Sequence, residues 1–172
     1  YAVRSRMAAE LGSNIRRLTS AYRAAYKRAG GTDSSGTAAD ELLVNDFYRI
    51  EKHFSPAVDT VYELNGAAYP VFASGEKTNS MRIYALIETL CGDRKHIDPE
   101  GLTAFIKEYA ERSPLTSAEV RLIPDMLRLA LIARSAREIR ADGSADPEKI
   151  HCLLDAFSIL ADGGFTEATE KL

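Results

Sequence analysis

Apolar residues recur every three or four positions from the start of the chain: Val3, Met7, Leu11, Ile15, Leu18, Tyr22 and Tyr26. That spacing stacks them on one side of a helix of roughly seven turns while most of the neighbouring bases face away. Gly30-Gly31 predicts its end, because glycine accepts the left-handed conformation of a C-terminal cap. The polar, glycine-flanked run GTDSSG over residues 31–36 reads as a linker that leaves helix one room to move or to swap. The pattern therefore divides the chain into a basic amphipathic helix over 1–30, a linker over 31–36 and a helical body over 37–172. The whole is expected to be one domain of a longer protein.

The body continues the helical period. Leu42, Leu43, Phe47, Ile50 and Phe54 form a second apolar stripe, and Ser55-Pro56 reads as the N-cap and first-turn proline of a third helix carrying Val58, Val61, Tyr62 and Leu64. Asn65-Gly66 stops that helix, and the loop from Ala67 to Ser80 is expected to fold Tyr69, Val71 and Phe72 back onto the core. Met81 to Leu90 predicts a short helix ending near Gly92. Asp98-Pro99-Glu100 starts the next, with an N-cap oxygen, a proline of preset φ and an acid near the positive end of the helix dipole. Its buried face is Leu102, Phe105, Ile106 and Tyr109.

Thr116-Ser117-Ala118-Glu119 has the spacing of a capping box, and behind it Val120 to Ile139 is apolar on most sides, as a central helix enclosed by others would be. Pro124 is expected to kink it, since the ring removes the bond to the Val120 carbonyl. Asp146-Pro147-Glu148 starts a last helix with Ile150, Leu153, Leu154, Phe157 and Leu160, closed by Gly163-Gly164 and followed by a short acidic tail. No alternating run of strand length occurs. The fold class is all-α, a single orthogonal or irregular bundle of about seven helices.

Composition adds little to this picture. At 172 residues, 45% hydrophobic and 27% charged, the chain is ordinary globular material able to close a core without disulfides or metal. No apolar run approaches the roughly 18 residues of a membrane span, and no secretory h-region is present. Cys91 and Cys152 read as reduced thiols of a cytoplasmic protein.

Charge changes the picture more. Residues 1–28 hold seven bases and one acid, out of 22 bases and 25 acids in a chain of net charge −3. Helix one is read first as a basic solvated face, the alternatives being that it lies on an acidic body or reaches an anionic partner, such as a membrane surface through Arg16, Arg17, Arg23 and Lys27. Its tyrosines lie on the apolar stripe instead of interleaving with the bases, which argues against nucleic acid.

Candidate chemistry is sparse. None of the eleven aspartates forms a D-x-D pair, no G-x-G or G-K-[ST] occurs, and the three histidines stand 43 and 55 residues apart. His151 and Cys152 point about 100° apart on a helix and cannot easily share an ion. No metal site, cofactor site or catalytic residue is therefore assigned. Cys91, near Arg94 and Lys95, is either a thiolate of lowered pKa or a small buried side chain, and the second reading is favoured. Arg121, Asp125 and Arg128, at spacings of four and three, make one charged stripe on the central helix, either a buried ion-pair brace or part of a docking face.

From Asp40 to Ile139 the sequence resembles the N-terminal helical region of cyclic β-1,2-glucan synthases and related giant bacterial proteins of the former family-36 glycosyltransferase group. The residues Glu41 to Glu51 (ELLVNDFYRIE) are similar to that family's E-x-L-L-D-N-Y-Y-I-I-E, and Arg82 to Leu86 (RIYAL) to its P-R-V-Y-A-L. Asp98 to Tyr109 resembles its D-x-x-x-L-x-x-F-I-x-x-Y helix. The most specific stretch is Pro114 to Glu119 (PLTSAE) running into Ile123 to Ile132 (IPDMLRLALI), close to P-L-T-x-G-E-L-W-A-L-P-x-M-L-R-L-A-L-I-E. The chain departs from the pattern at Ala118 for glycine, Val120-Arg121 for Leu-Trp and Ala133 for glutamate, and in the loop before Arg82.

The resemblance implies a non-catalytic accessory or assembly domain of a large membrane-associated enzyme that builds glucan from UDP-glucose at the cytoplasmic face of the inner membrane. Its transferase and phosphorylase-like chemistry would lie outside these residues. Arg82, Tyr84, Glu119, Arg121, Asp125 and Arg128 are the candidate docking or brace residues, and the other domains of the parent chain are the expected partners. The alternatives are an independent helical protein–protein interaction module and a peripheral membrane-attachment domain.

Overall fold

The helix with the fewest solvent-facing positions in its sequence is the one the others surround. In the computed structural model, residues 2–31, 35–65, 68–75, 77 and 79–172 are described, Asp93 by its backbone alone. They form α1 (Ala2–Ala29), α2 (Ala38–Asp46), α3 (Tyr48–Glu51), α4 (Phe54–Glu63), α5 (Arg82–Asp93), α6 (Pro99–Arg112), α7 (Ser117–Glu138), α8 (Pro147–Ala161) and α9 (Gly164–Thr169). Seven of these have nine residues or more, and among the described residues the only extended pairing is one antiparallel bridge from Val71 to Met81. The protein is an all-α bundle.

α7 touches α1, α4, α5, α8 and α9. It buries Ile123, Met126, Leu127, Leu129, Ala130, Leu131 and Ile132 in a nearly unbroken run, which a helix packed on one side only would not tolerate. α8 brings Ile150, Leu153, Leu154, Phe157 and Leu160 against it, all five buried. Both D-P-E starts are caps: Asp98 accepts the Gly101 N–H at 2.7 Å and Asp146 the Glu148 N–H at 2.9 Å.

α1 is not detached. Met7, Leu11, Leu18, Ala21 and Ala25 are buried, and the helix packs along α2, α4 and α7. Its stripe ends earlier than the spacing predicts, because Tyr26 is 60% exposed and the small side chains Ala21 and Ala25 take the last buried turns. Of the expected linker, residues 32–34 lie outside the described residues, as does Gly66 of the expected helix stop.

Several local expectations are corrected. Ser55 does not cap the helix that follows it. α4 starts at Phe54 with His53 as N-cap, and Ser55 and Pro56 occupy its first turn. The expected single helix from Thr37 through Phe54 is broken into α2, α3 and the start of α4, with i to i+3 bonds from Ile50 to Phe47 and from His53 to Ile50 at the bends. Pro56 contributes to the second bend, since it has no N–H to offer the Lys52 carbonyl.

Tyr62 (73% exposed) and Val71 (45%) face solvent, although Tyr69 packs on the core as expected. The acidic tail is helical: Gly163, at φ +82, turns the chain into α9, whose fully buried Phe165 docks where α6, α7 and α8 meet.

Candidate functional site

Arg82, the first residue of α5, and Glu119, the third of α7, meet in the interior. The guanidinium grips the carboxylate at both ends, Nε to Oε1 at 2.9 Å and Nη2 to Oε2 at 2.6 Å, and Glu119 has no solvent exposure. The same arginine donates to the Ser113 hydroxyl at 3.0 Å and the Pro114 carbonyl at 3.2 Å. Glu119 is also the acid of the capping box, taking the Thr116 N–H at 2.8 Å while Thr116 Oγ1 accepts the Glu119 N–H at 3.2 Å. Burial pushes this carboxyl up, but the guanidinium and the Thr116 N–H outweigh it and hold it below the usual carboxylate range.

Arg121, Asp125 and Arg128 do not form one unit. Arg128 Nη1 binds Asp125 Oδ1 at 2.7 Å and its Nε donates to His53 Nδ1 at 3.3 Å, so the partner of Arg128 beyond its own helix is a buried histidine. Arg121 is exposed, in a shallow groove with Leu115, Thr166 and Glu170 beside α9, and does not pair with Asp125. Tyr84 lies between α5 and α1, near Met7, Glu10 and Leu11, and burial raises its hydroxyl pKa. The buried brace is thus Arg82–Glu119, joining two helices, and the Asp125–Arg128 pair stays within one turn of α7.

His53 is 4% exposed, with its ring 5.2 Å from that of Phe157. Because Nδ1 accepts from Arg128, the neutral ring carries its proton on Nε2, an atom with no hydrogen-bond partner. Desolvation lowers its pKa to about 4, Arg128 and Lys52 push the same way, and the Phe157 carbonyl opposes them.

Cys91 is not a candidate thiolate. Both cysteines are free and buried, and burial pushes Cys91 up to about 12 despite Arg134 and Arg137 nearby. Arg134, itself buried, donates to the Cys91 carbonyl at 2.5 Å and to the Arg94 carbonyl, placing a cation at the negative end of α5. Cys152 approaches His96 Nδ1 at 3.5 Å, and no group of three metal-ligating side chains exists among the described residues. None of the described helices is long and apolar enough to cross a membrane.

The bases of α1 divide by role. Arg28 binds the buried Asp40 of α2 with Nε and Nη2 at 2.9 and 2.8 Å and reaches the Ala141 carbonyl at 2.6 Å. Arg16 and Arg17 face the end of α7 across an open cleft of about 740 Å³, lined also by Ser20, Arg137 and Arg140. Arg137 and Arg140 escaped the sequence reading because they look like ordinary bases at a helix end. Only the packing of α1 on α7 sets them opposite Arg16 and Arg17. No protein-family model, curated protein or solved structure matches the chain.

Proposed function

We propose that the chain is a non-catalytic assembly domain of a larger enzyme of the cyclic glucan synthase kind, holding helices in register so that other parts of that protein can dock. One observation carries the reading. Two elements of the resemblance, Arg82 to Leu86 and the most specific stretch, Pro114 to Glu119 running into Ile123 to Ile132, are joined by the buried Arg82–Glu119 clamp between α5 and α7. The similar residues are therefore employed in joining helices, and the arrangement has no need of a substrate to explain it. The rival reading is an independent helical interaction module. Membrane spans and a D-x-D transferase motif elsewhere in the parent reading frame favour the first, and their absence the second.

The experiment is an alanine scan of the acids and histidines in the full-length parent, read by glucan formation and thermal melting together. Glu119→Ala is expected to lower product and melting temperature in parallel, with the linkage of the remaining glucan unchanged. A substitution that stops product formation without moving the melt would overturn the reading, since loss of turnover in an intact fold marks a catalytic group.

A further inference from the structure

The cleft between α1 and α7 concentrates positive charge that no ion pair among the described residues neutralises. Arg16, Arg17, Arg137 and Arg140 are all exposed, and none forms an ion pair or hydrogen bond with another described residue. Elsewhere carboxylates are engaged: Asp40 with Arg28, Glu119 with Arg82, Asp125 with Arg128 and Glu138 with Lys149. Asp142 is held below the usual carboxylate range chiefly by its two hydrogen bonds from Ser144, with Arg140 and Arg28 adding a smaller pull, and it forms no ion pair with either arginine.

Helix electrostatics explains only half of the cluster. Arg137 lies in the last turn of α7 and Arg140 just beyond it, where cations complement the negative end of the dipole. Arg16 and Arg17 lie in the middle of α1, where no such effect operates. Like charges brought together on two helices repel, and an arrangement that keeps them together is stabilised by an anion between them.

One edge of the rim is pinned by the fold itself. Arg28, locked onto Asp40, reaches across to the Ala141 carbonyl on the cleft rim. Gly143, at φ +79, passes that guanidinium so closely that a Cβ would lie 3.1 Å from its atoms. The floor is apolar, with Ile139 2% exposed and Ala136 5% exposed, and Ser20 adds a hydroxyl on the α1 side. Arg23 and Lys27, exposed and seven and eleven residues beyond Arg16, extend the cationic stripe along the same side of α1.

We propose that this cleft is a binding site for a phosphoryl-bearing anion, gripped by Arg16 and Arg17 on one side and Arg137 and Arg140 on the other. Guanidinium forks match the oxygens of phosphate in pairs, and four of them around one opening suit a diphosphate or two adjacent phosphodiesters better than a single carboxylate. The chemistry is shared by a soluble phosphorylated metabolite and a lipid headgroup. α1 has already buried its apolar face in the core, so a lipid would be held by its headgroup and not by insertion of the helix. The inference does not depend on the assembly-domain reading and stands or falls separately.

The test uses the whole chain at constant ionic strength. Calorimetric titration with sodium pyrophosphate, and sedimentation with phosphatidylcholine vesicles with and without phosphatidylglycerol, are run on the native protein, on R17Q/R140Q and on R112Q. Arg112 is exposed at the end of α6, away from the cleft lining. Saturable binding is expected in the pyrophosphate arm, the phosphatidylglycerol arm or both. Each arginine removed should weaken it about tenfold, the low end for a charge-assisted hydrogen bond, while R112Q binds as the native chain does. Pyrophosphate binding alone identifies a soluble ligand, and binding only to phosphatidylglycerol vesicles identifies a headgroup. Circular dichroism melts of the variants separate lost binding from lost folding. No saturable binding in either arm, or binding that survives R17Q/R140Q in a folded protein, would overturn the proposal.

Discussion

Two places in this molecule use the same device with different degrees of closure. At the start of α2, Thr37 and Asp40 form a capping box, and Arg28 from α1 takes the Asp40 carboxylate with two bonds and the Ala141 carbonyl with a third. At the start of α7, Thr116 and Glu119 form the box, and Arg82 from α5 takes Glu119 with two bonds, then Ser113 and Pro114. Both carboxylates are buried, at 1% and 0% exposure, but the Arg28 side chain is 23% exposed and that of Arg82 16%. A helix N-terminus thus becomes a joint when its N3 acid satisfies two masters, the local N–H and a distant guanidinium. The joint tightens as the guanidinium is withdrawn from water, since solvent can no longer substitute for the lost partner.

The sharpest way to break the comparison is to remove each acid. Glu119→Ala leaves Arg82 mostly buried and uncompensated, so it should cost about 4 kcal/mol in urea unfolding. Asp40→Ala should cost about 3 kcal/mol, because water can reach Arg28 more readily. Equal losses, or a larger loss at Asp40, would show that guanidinium exposure does not set the strength of the clamp.

Acid titration separates the clamps from the buried histidine. Both clamp carboxyls are held below the usual carboxylate range, Asp40 chiefly by its bond to Arg28, so their contribution is intact above the unfolded pKa and disappears as pH falls through the folded one. His53 acts at higher pH. Its folded pKa of about 4 lies below the ordinary 6.5, so the unfolded chain binds the proton first and stability falls as pH drops from 6.5 to about 4, then levels off. The loss should be about 3 kcal/mol. His53→Asn keeps an acceptor for Arg128 without the titration. Its stability should be flat across that window, and an unchanged slope would place the titrating group elsewhere.

The smallest expected effect compares the two caps alone. Thr116→Ala and Thr37→Ala each remove a side-chain acceptor for an N3 N–H, Thr116→Ala also a 3.1 Å donor to Glu119 Oε2, and both leave the arginine–carboxylate bonds in place, so each should cost about 1 kcal/mol by thermal or urea unfolding. A cost at Thr116 several times that at Thr37 would mean that Thr116 also orients Glu119 for Arg82.

What the sequence could determine by itself was whatever depends on neighbours a few residues apart. The 3.6-residue period of α7 and α8, the D-P-E starts and the box at Thr116 are local chemistry, and the structure shows each where the spacing puts it. The Thr37 box has the same T-x-x-acid form and carries a short aspartate where the usual signature has glutamate or glutamine, which left it unread.

Tertiary structure decided the partners. Arg82 stands 37 residues from Glu119 and Arg28 twelve from Asp40, and in sequence each is one base among 22. The charged stripe Arg121, Asp125 and Arg128 had helical spacing, yet the buried His53, 75 residues away, takes Arg128, and Arg121 stays in solvent. Likewise the tail after Gly164 looked acidic and short until α6, α7 and α8 offered Phe165 a buried place. The physical reason is common to all of these. A cap or an apolar stripe draws its free energy from atoms within a turn or two, whereas the worth of a charge depends on which distant helix removes its water and which group replaces it.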